Sequence, residues 1–232
     1  MKKSLVLMAL TLAMALMAGA AQAAFAPKFT VELSDTKKLG NPALTFHLEF
    51  AEDDEEIGLF TGFIPRGFTI AGDEAIPTVM DQAGREKGEE IGSGEITIAA
   101  GPACRGAQPG GQIPFKTNAT IPATFYERAR TDDQIDSGVH AVWFLDIEPA
   151  SRVTLEVKGS PLTGWTVSGA PPPSDQTCNP LIADLTINAT SESGVKIITN
   201  PKRAGRKKFM ADISSQDSAT VAHFEQIITI TP

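Results

Sequence analysis

The sequence predicts an all-β protein, built as an antiparallel β-sandwich with few short helices. Two observations favour this class. Apolar and polar residues alternate in several short segments, which is the spacing of strands that bury one face. Between them lie turn sequences such as Gly40-Asn41-Pro42 and Gly110-Gly111, in a chain with 20 glycines and 16 prolines. About ten to twelve short strands separated in this way are typical of an antiparallel sandwich.

The alternating segments are spread along the whole chain. The clearest runs from Leu44 to Phe50, with an apolar residue at every second position. The same period marks residues 95–98, 152–158, 184–188 and 224–230. Each segment is therefore predicted to be a strand with one face on the core.

Other segments depart from this alternation. Val139 to Ile147 is apolar on both faces, which favours a strand in the middle of a covered sheet. Helix signals are few: Pro77 can open a short helix through Ala83, and Pro122 can open either a helix or a strand over residues 123–130. The charged, glycine-rich tract from Asp81 to Gly94 is expected to be a long exposed loop.

Residues 24–110 and 111–232 are predicted to form two sandwich-like halves. A chain of this length can bury one large core or two small ones, so a single continuous sandwich is the alternative. The run Pro171–Pro173 is too short to act as a linker between independent domains.

Residues 1–23 have the three parts of a secretion signal. Lys2 and Lys3 precede an apolar run from Leu5 to Met17, and Ala21-Gln22-Ala23 provides an A-x-A cleavage sequence. We expect cleavage after Ala23, with Ala26 as the alternative. The apolar run is shorter than the roughly 20 residues of a membrane span, and no later run reaches that length. The mature protein is therefore expected to be soluble, bacterial, and secreted or periplasmic.

The formal net charge of −8 argues against some partners. Nucleic acids and anionic lipids attract net basic surfaces, so neither is expected as the general partner. The two cysteines, Cys104 and Cys178, both lie in turn-rich contexts. An even number of cysteines in an oxidising compartment usually pairs, so we expect a structural disulfide between them.

The sequence contains no motif that indicates catalysis. Neither a G-x-S-x-G nucleophile motif nor an H-E-x-x-H zinc motif is present, and His47, His140 and His223 fall in three different predicted strands. No cofactor is expected, and an enzyme is the less favoured class. A secreted hydrolase of polysaccharide or peptide is the alternative, because paired catalytic carboxylates are recognised by their separation in space.

Two acidic clusters could bind calcium, a cation that prefers several oxygen ligands. One is Glu52–Glu56, and the other comprises Asp132, Asp133 and Asp136. The second does not fit the twelve-residue calcium loop, since Ser137 stands where the turn glycine belongs. Both clusters are interpreted as solvated turns, with calcium as the alternative.

The most uneven feature is a basic tract with five cations in seven residues, namely Lys202, Arg203, Arg206, Lys207 and Lys208. It follows Asn200-Pro201 and is predicted to be a hairpin turn that displays a basic patch. Such a patch predicts contact with an anionic envelope polymer or with another protein. Alternatively, its lysines deter edge-to-edge pairing of strands. Trp165 is a second candidate, as an exposed ring that could bind a glycan.

Two stretches of the chain resemble a group of uncharacterised secreted bacterial proteins. Leu33-Ser34-Asp35-Thr36 followed by 40–46 (GNPALTF) is one, and Ile198-Thr199-Asn200-Pro201 is the other. The resemblance implies an immunoglobulin-like β-sandwich and a secreted life, and it brings no activity or functional residues.

These features together favour a non-enzymatic secreted β-sandwich protein that serves as a binding or structural module of the cell envelope or extracellular space. Function in such folds lies in loops on a rigid scaffold, and the candidates are the basic tract and the Asp81–Gly94 loop. The sequence leaves the ligand and the oligomeric state open.

Overall fold

The protein is described by a computed structural model over residues 25–51, 57–72, 79–80, 86–98, 101–108, 111–115, 118–147, 151–170, 180–216 and 220–232. Most of the described residues lie in β-strands, and the paired strands run antiparallel. The elements are β1 (Lys28–Leu33), β2 (Leu44–Glu49), β3 (Ile57–Ile64), β4 (Thr69–Ile70), β5 (Val79–Met80), β6 (Glu86–Lys87), β7 (Glu89–Ile98), β8 (Gly101–Gln108), β9 (Gly111–Phe115), β10 (Ala119–Arg128), α1 (Asp132–Asp136), β11 (Val139–Ile147), β12 (Ser151–Ser160), β13 (Gly164–Gly169), β14 (Pro180–Ile187), β15 (Ile198–Thr199), β16 (Gly205–Ser215) and β17 (Val221–Ile230).

Eleven of these strands form one sheet in the order β1-β2-β14-β7-β10-β11-β12-β13-β3-β16-β17. The order mixes the two predicted halves of the chain, since β14 lies between β2 and β7 and β3 lies between β13 and β16. Residue 110 is therefore not a boundary between sheets. The all-β, antiparallel class is confirmed, in the form of one nearly closed, barrel-like sheet. The immunoglobulin-like sandwich stays a prediction.

The sheet nearly closes because its two edge strands, β1 and β17, approach each other. At one end of this seam the Thr231 N–H donates to the Thr36 carbonyl at 2.7 Å, and the Lys38 N–H donates to the Thr231 carbonyl at 2.9 Å. Farther along, the side chain of Gln226 bonds to both backbone groups of Val31. An odd number of antiparallel strands leaves the first and last pointing the same way, so the seam is parallel.

The core lies inside this curled sheet, and the predicted alternation places it there. In β2 the inward residues Leu44 and Leu48 are buried, as the period-two pattern predicts. β11 buries residues from both faces, including Trp143 and Phe144, so its prediction as a covered strand is also confirmed.

One open local prediction is resolved by the structure, and two others are corrected. The ambiguous tract after Pro122 is strand, because β10 pairs with β7 on one side and β11 on the other. The helix expected over Pro77–Ala83 is replaced at Val79–Met80 by β5, which pairs with β6. The loop expected over Asp81–Gly94 is wrong from Glu86 onward, because β6 spans Glu86–Lys87 and β7 begins at Glu89.

The glycines that suggested a loop in β7 are required by its neighbour. A Cβ on Gly92 would lie 2.1 Å from the Thr186 carbonyl oxygen, and one on Gly94 would lie 2.0 Å from the Asp184 carbonyl oxygen. Any side chain at either position would collide with β14, so these glycines mark close approach of two strands rather than a turn.

Several predictions concern residues beyond this description. The signal in residues 1–23, the acidic run Glu52–Glu56 and Cys178 lie outside the described residues, as does the side chain of Cys104 in β8. The disulfide and the cleavage site therefore stay predictions. Among the residues that the structure describes, no helix is long and apolar enough to cross a bilayer.

Candidate functional site: a basic end of the sheet

One end of the curled sheet is closed by a small cap. Here β1, β3 and β17 finish, β13 and β16 begin, and β4 pairs with β15 through Ile70 opposite Ile198. The cap is apolar beneath its surface, since Phe68, Ile70, Ile197 and Ile198 are each at most 2% exposed. Burial of these side chains fixes the loops that cross this end.

Trp165 anchors the cap from below and does not face solvent. Its indole N–H donates to the Phe68 carbonyl at 2.9 Å, and its ring lies 4.5 Å from the ring of His140. His140 Nε2 lies 2.9 Å from the Ile70 carbonyl, which can only accept, so this nitrogen carries the hydrogen. The expected exposure of Trp165 is corrected, because the side chain is 3% exposed.

The other large polar-edged rings of the chain are buried as well. The sequence holds two tryptophans and one tyrosine, and Trp143 and Tyr126 are 1% and 7% exposed. Sugar-binding surfaces commonly use exposed rings of these types as flat platforms. None of the three rings is exposed, so this surface offers charges and hydrogen-bonding groups and no aromatic platform of these types.

Asn200 fastens the first loop of this end to the start of the basic tract. Its buried Nδ2 donates to the carbonyls of Asp35 and Lys37, both at 2.8 Å, and its backbone N–H donates to the Gly40 carbonyl at 2.8 Å. The Leu39 N–H also donates to the Pro201 carbonyl at 3.2 Å. Lys37 and Lys38 are therefore held beside Lys202 and Arg203.

A third loop brings Arg66 to the same place. Gly67 has φ +98°, and a Cβ there would lie 3.0 Å from Pro201 Cβ, so only glycine allows this contact without strain. In the same loop, the Arg66 carbonyl accepts from Lys207 Nζ at 3.5 Å. The loop after β3 is thus packed against both ends of the basic tract.

We call this surface the basic end, defined by Lys37, Lys38, Arg66, Lys202, Arg203, Arg206 and Lys207. All are exposed except Lys207, which is half-buried. Within the described part of the chain, none of the seven forms a salt bridge. Asp35, the acid nearest to Lys37 in the sequence, accepts a hydrogen bond from the Lys37 backbone N–H at 2.8 Å.

Sequence reasoning found only part of this site. Of the five predicted residues, Lys202, Arg203, Arg206 and Lys207 lie at this end of the sheet, and Lys208 lies on the outer wall, where it pairs with Glu225 at 2.7 Å. Their role in binding stays a prediction. The tract is also not a simple hairpin turn, since its last residues from Gly205 onward belong to β16. Lys37, Lys38 and Arg66 were missed, because neither spacing nor composition indicates that their loops meet at Pro201.

Two histidine–aspartate pairs lie apart from the basic end, on the outer wall of the sheet. His47 Nδ1 and Asp184 Oδ1 are 2.5 Å apart, and so are His223 Nδ1 and Asp212 Oδ1. Hydrogen bonding to Asp212, and next to Glu225, raises the pKa of His223. The structure keeps His47, His140 and His223 in separate places and pairs none of them with a serine or cysteine nucleophile among the described residues.

The acidic cluster at residues 132–136 is explained by helix capping. Thr131 caps α1 in a capping box with Gln134, and Asp132 and Asp133 lie in its first turn. Carboxylates there are favoured by the unsatisfied N–H groups of the helix start. Over the described ranges, no group of three or more His, Cys, Asp or Glu side chains is arranged to hold a metal ion.

A scan against models of known protein families and a search of curated proteins found no match to this chain. The basic end therefore has to be interpreted from its own geometry.

Proposed function

We propose that this protein is a secreted, non-enzymatic binding module whose basic end binds an anionic polymer of the cell envelope or extracellular space. The observation that carries the proposal is the convergence of seven cations from three loops and the start of β16, without ion pairs in the described part of the chain, on a protein of net charge −8. Secretion rests on the predicted signal.

The position of the tract argues against the alternative of a guard that deters strand pairing. Guard lysines act on the open edge of a sheet. β16 is not an edge, because β3 pairs with one side of it and β17 with the other. The cations at the start of β16 therefore protect no unpaired strand, and contact with an outside anion is the better account of their clustering.

The expected ligand is a flexible polyanion recognised through charge. Several cations with separate backbones can contact successive anionic groups of one polymer, and the energies of such contacts add within one complex. Exposed charges are screened by salt, with a Debye length of about 10 Å at 0.1 M and about 3 Å at 1 M. Binding should weaken steeply over this range.

The test is co-sedimentation of the mature protein with isolated bacterial envelopes, and with beads carrying dextran sulfate or long-chain polyphosphate, across a salt series. Two variants remove parts of the basic end: K202Q/R203Q/R206Q/K207Q and K37Q/K38Q/R66Q. The matched control is K28Q/K158Q/K208Q, which removes three cations that pair with Glu49, Glu156 and Glu225 on the wall.

Both basic-end variants should lose most of the salt-sensitive binding, and the control should keep it. The comparison between K37Q/K38Q/R66Q and the control is the sharpest, because both change the net charge by the same amount. Equal losses in these two would show that overall charge alone governs binding, and the proposal would be abandoned. Absence of binding by the wild type to all three materials would also overturn it.

A further inference from the structure

The seam between β1 and β17 is the one place where this sheet lacks a backbone ladder between neighbours in the described chain. Val31 on β1 directs its N–H and C=O toward β17, where the Gln226 side chain meets both. Gln226 Oε1 accepts from the Val31 N–H at 2.7 Å, and Gln226 Nε2 donates to the Val31 carbonyl at 2.6 Å. A side-chain amide thus occupies the position that the peptide group of a neighbouring strand would fill.

The backbone groups around Val31 extend this edge. Alternate residues of a strand direct their N–H and C=O to opposite sides, so Phe29 and Leu33 face the seam as Val31 does. Among the described strands, β1 pairs only with β2, and β17 pairs only with β16. The seam-facing edge of β1 is therefore bonded by the Gln226 side chain at Val31, and a whole strand could pair along it.

The direction of the two edges determines which strand would fit. β1 and β17 both run toward the basic end, so a single strand running the other way would be antiparallel to both. With that strand the sheet would contain an even number of strands and could close with antiparallel pairs throughout. The seam as it stands matches the polarity of one missing strand.

Several inward residues of the two edge strands are only partly buried, as are some on strands far from the seam, such as Ile98 and Ile147. Inward residues of β14 and β16, such as Leu185, Ile187 and Phe209, are buried. On the edge strands, Phe29 and Phe224 point inward and lie 5.9 Å apart between ring centroids, yet both are only partly buried. Leu33, Ala222 and Ile228 on the same two strands are also partly buried.

We propose that the seam is a binding site for an extended polypeptide segment, which adds as a twelfth strand between β1 and β17 after the Gln226 side chain swings away from Val31. Its backbone would bond to the seam-facing groups of Phe29, Val31 and Leu33. Its apolar residues would lie at every second position and pack on Phe29 and Phe224, and its polar residues would face solvent.

The length and polarity of this segment follow from the seam. The hydrogen bonds among Thr36, Lys38 and Thr231 close the seam at the basic end, so the entering strand covers the part from Lys28 to Leu33. It runs away from the basic end and needs about six residues in extended conformation. The site is separate from the basic end and does not depend on polymer binding.

The test uses the full mature protein and an eight-residue peptide of alternating Val and Thr with a terminal lysine at each end. A peptide of the same sequence with N-methyl groups on alternate amides has the same side chains and cannot complete the ladder. Binding is measured by fluorescence anisotropy of the labelled peptide. Hydrogen exchange of the Val31 amide reports whether it binds at the seam.

The key variant is Gln226→Ala, which removes the competing amide, and its control is Thr229→Ala, an outward-facing residue of the same strand. We expect the unmodified peptide to slow hydrogen exchange of the Val31 amide. It should bind Gln226→Ala about tenfold more tightly than wild type, because the peptide no longer competes with the two hydrogen bonds that Gln226 makes to Val31. Thr229→Ala should match wild type, and the N-methylated peptide should bind neither.

Three results would overturn the proposal. The first is equal binding of both peptides, which would mean that side chains alone attach them. The second is absence of binding to wild type and to a Gln226→Ala protein whose circular dichroism shows it folded. The third is concentration-dependent dimerisation of Gln226→Ala without peptide binding, which would assign the edge to a second copy of this chain.

Discussion

The outer wall of the sheet and the basic end use charged residues in opposite ways. On the wall, cations face acids across strands, as in Lys28–Glu49 at 2.9 Å and Lys208–Glu225 at 2.7 Å. At the basic end the cations have no such partners in the described chain, and the loops that carry them are held by the buried amide of Asn200. There the loops are held in place by the neutral Asn200 amide and not by ion pairs, so their cations stay available to a ligand.

The difference follows from burial. Exposed ion pairs contribute little to stability because water and salt screen them and long side chains lose entropy on pairing. A buried amide with two carbonyl partners contributes more, since breaking it leaves polar groups unsatisfied. Removing polar contacts should therefore destabilise the basic end more than the wall, and removing charges should affect binding only at the basic end.

The largest effect is expected from Trp165→Ala, which would break the support beneath the basic end. Deleting a buried tryptophan removes packing against Phe68 and His140 and leaves the Phe68 carbonyl without its donor. A loss of about 3–5 kcal/mol in the free energy of unfolding is expected, measured by urea denaturation. The neighbouring Thr166→Ala, on the outward face, should stay within about 0.5 kcal/mol of wild type.

Asn200→Ala should have the next largest effect, and it should lower both the stability of the protein and its affinity for polyanions. It removes the bonds to the Asp35 and Lys37 carbonyls, and we expect a loss of about 1–3 kcal/mol in urea denaturation. Affinity for dextran sulfate should fall as well, because Lys37 and Lys38 are no longer held beside Lys202. Asn200→Asp should lose stability and affinity in the same way as Asn200→Ala, since a carboxylate cannot donate to the two carbonyls.

Neutralising two cations in each region sharpens the comparison further. Neutralising Lys202 and Arg203 together should lower affinity for dextran sulfate several-fold at low salt, with an unchanged urea midpoint. Neutralising Lys28 and Lys208 should leave both affinity and midpoint near wild type. If the wall pair mattered as much for binding as the basic-end pair, the contrast between the two regions would not hold.

The smallest effect is expected from His223, whose environment on the wall is the more acidic of the two histidine pairs. Hydrogen bonding to Asp212, then to Glu225, raises the pKa of His223 above 6.5. The added stability is present below the unfolded pKa and is lost as pH rises through the folded one. The urea midpoint should therefore fall slightly as the pH rises from below 6.5 through the raised folded pKa, and His223→Gln should abolish this particular slope.

The alternation of residues was enough to predict the wall but not the end. The pattern of apolar residues within one strand was enough to predict the burial of Leu44 and Leu48 in β2. It was also enough to predict that both faces of β11 are covered. Trp165 could also have been placed, since it and Val167 alternate with Thr166 in β13 and both are buried. The turn-like glycine before it concealed that signal.

The meeting of Lys37, Arg66 and Lys202 could not be predicted in this way. It depends on which strands are neighbours, and β3 pairs with β13 and β16, which lie more than a hundred residues farther along. Gln226 gave no signal either, because a polar residue at an inward position of β17 acquires its meaning only when β1 lies opposite it. Both features are properties of topology.

The seven cations lie at the end of the sheet where β1 and β17 finish and β16 begins. If this end binds a polyanionic surface, as proposed, the molecule should dock with its strands upright. Each molecule then covers only the cross-section of the sheet, so a dense layer can form. The length of the seam stands away from the surface, where a polypeptide can reach it from the side.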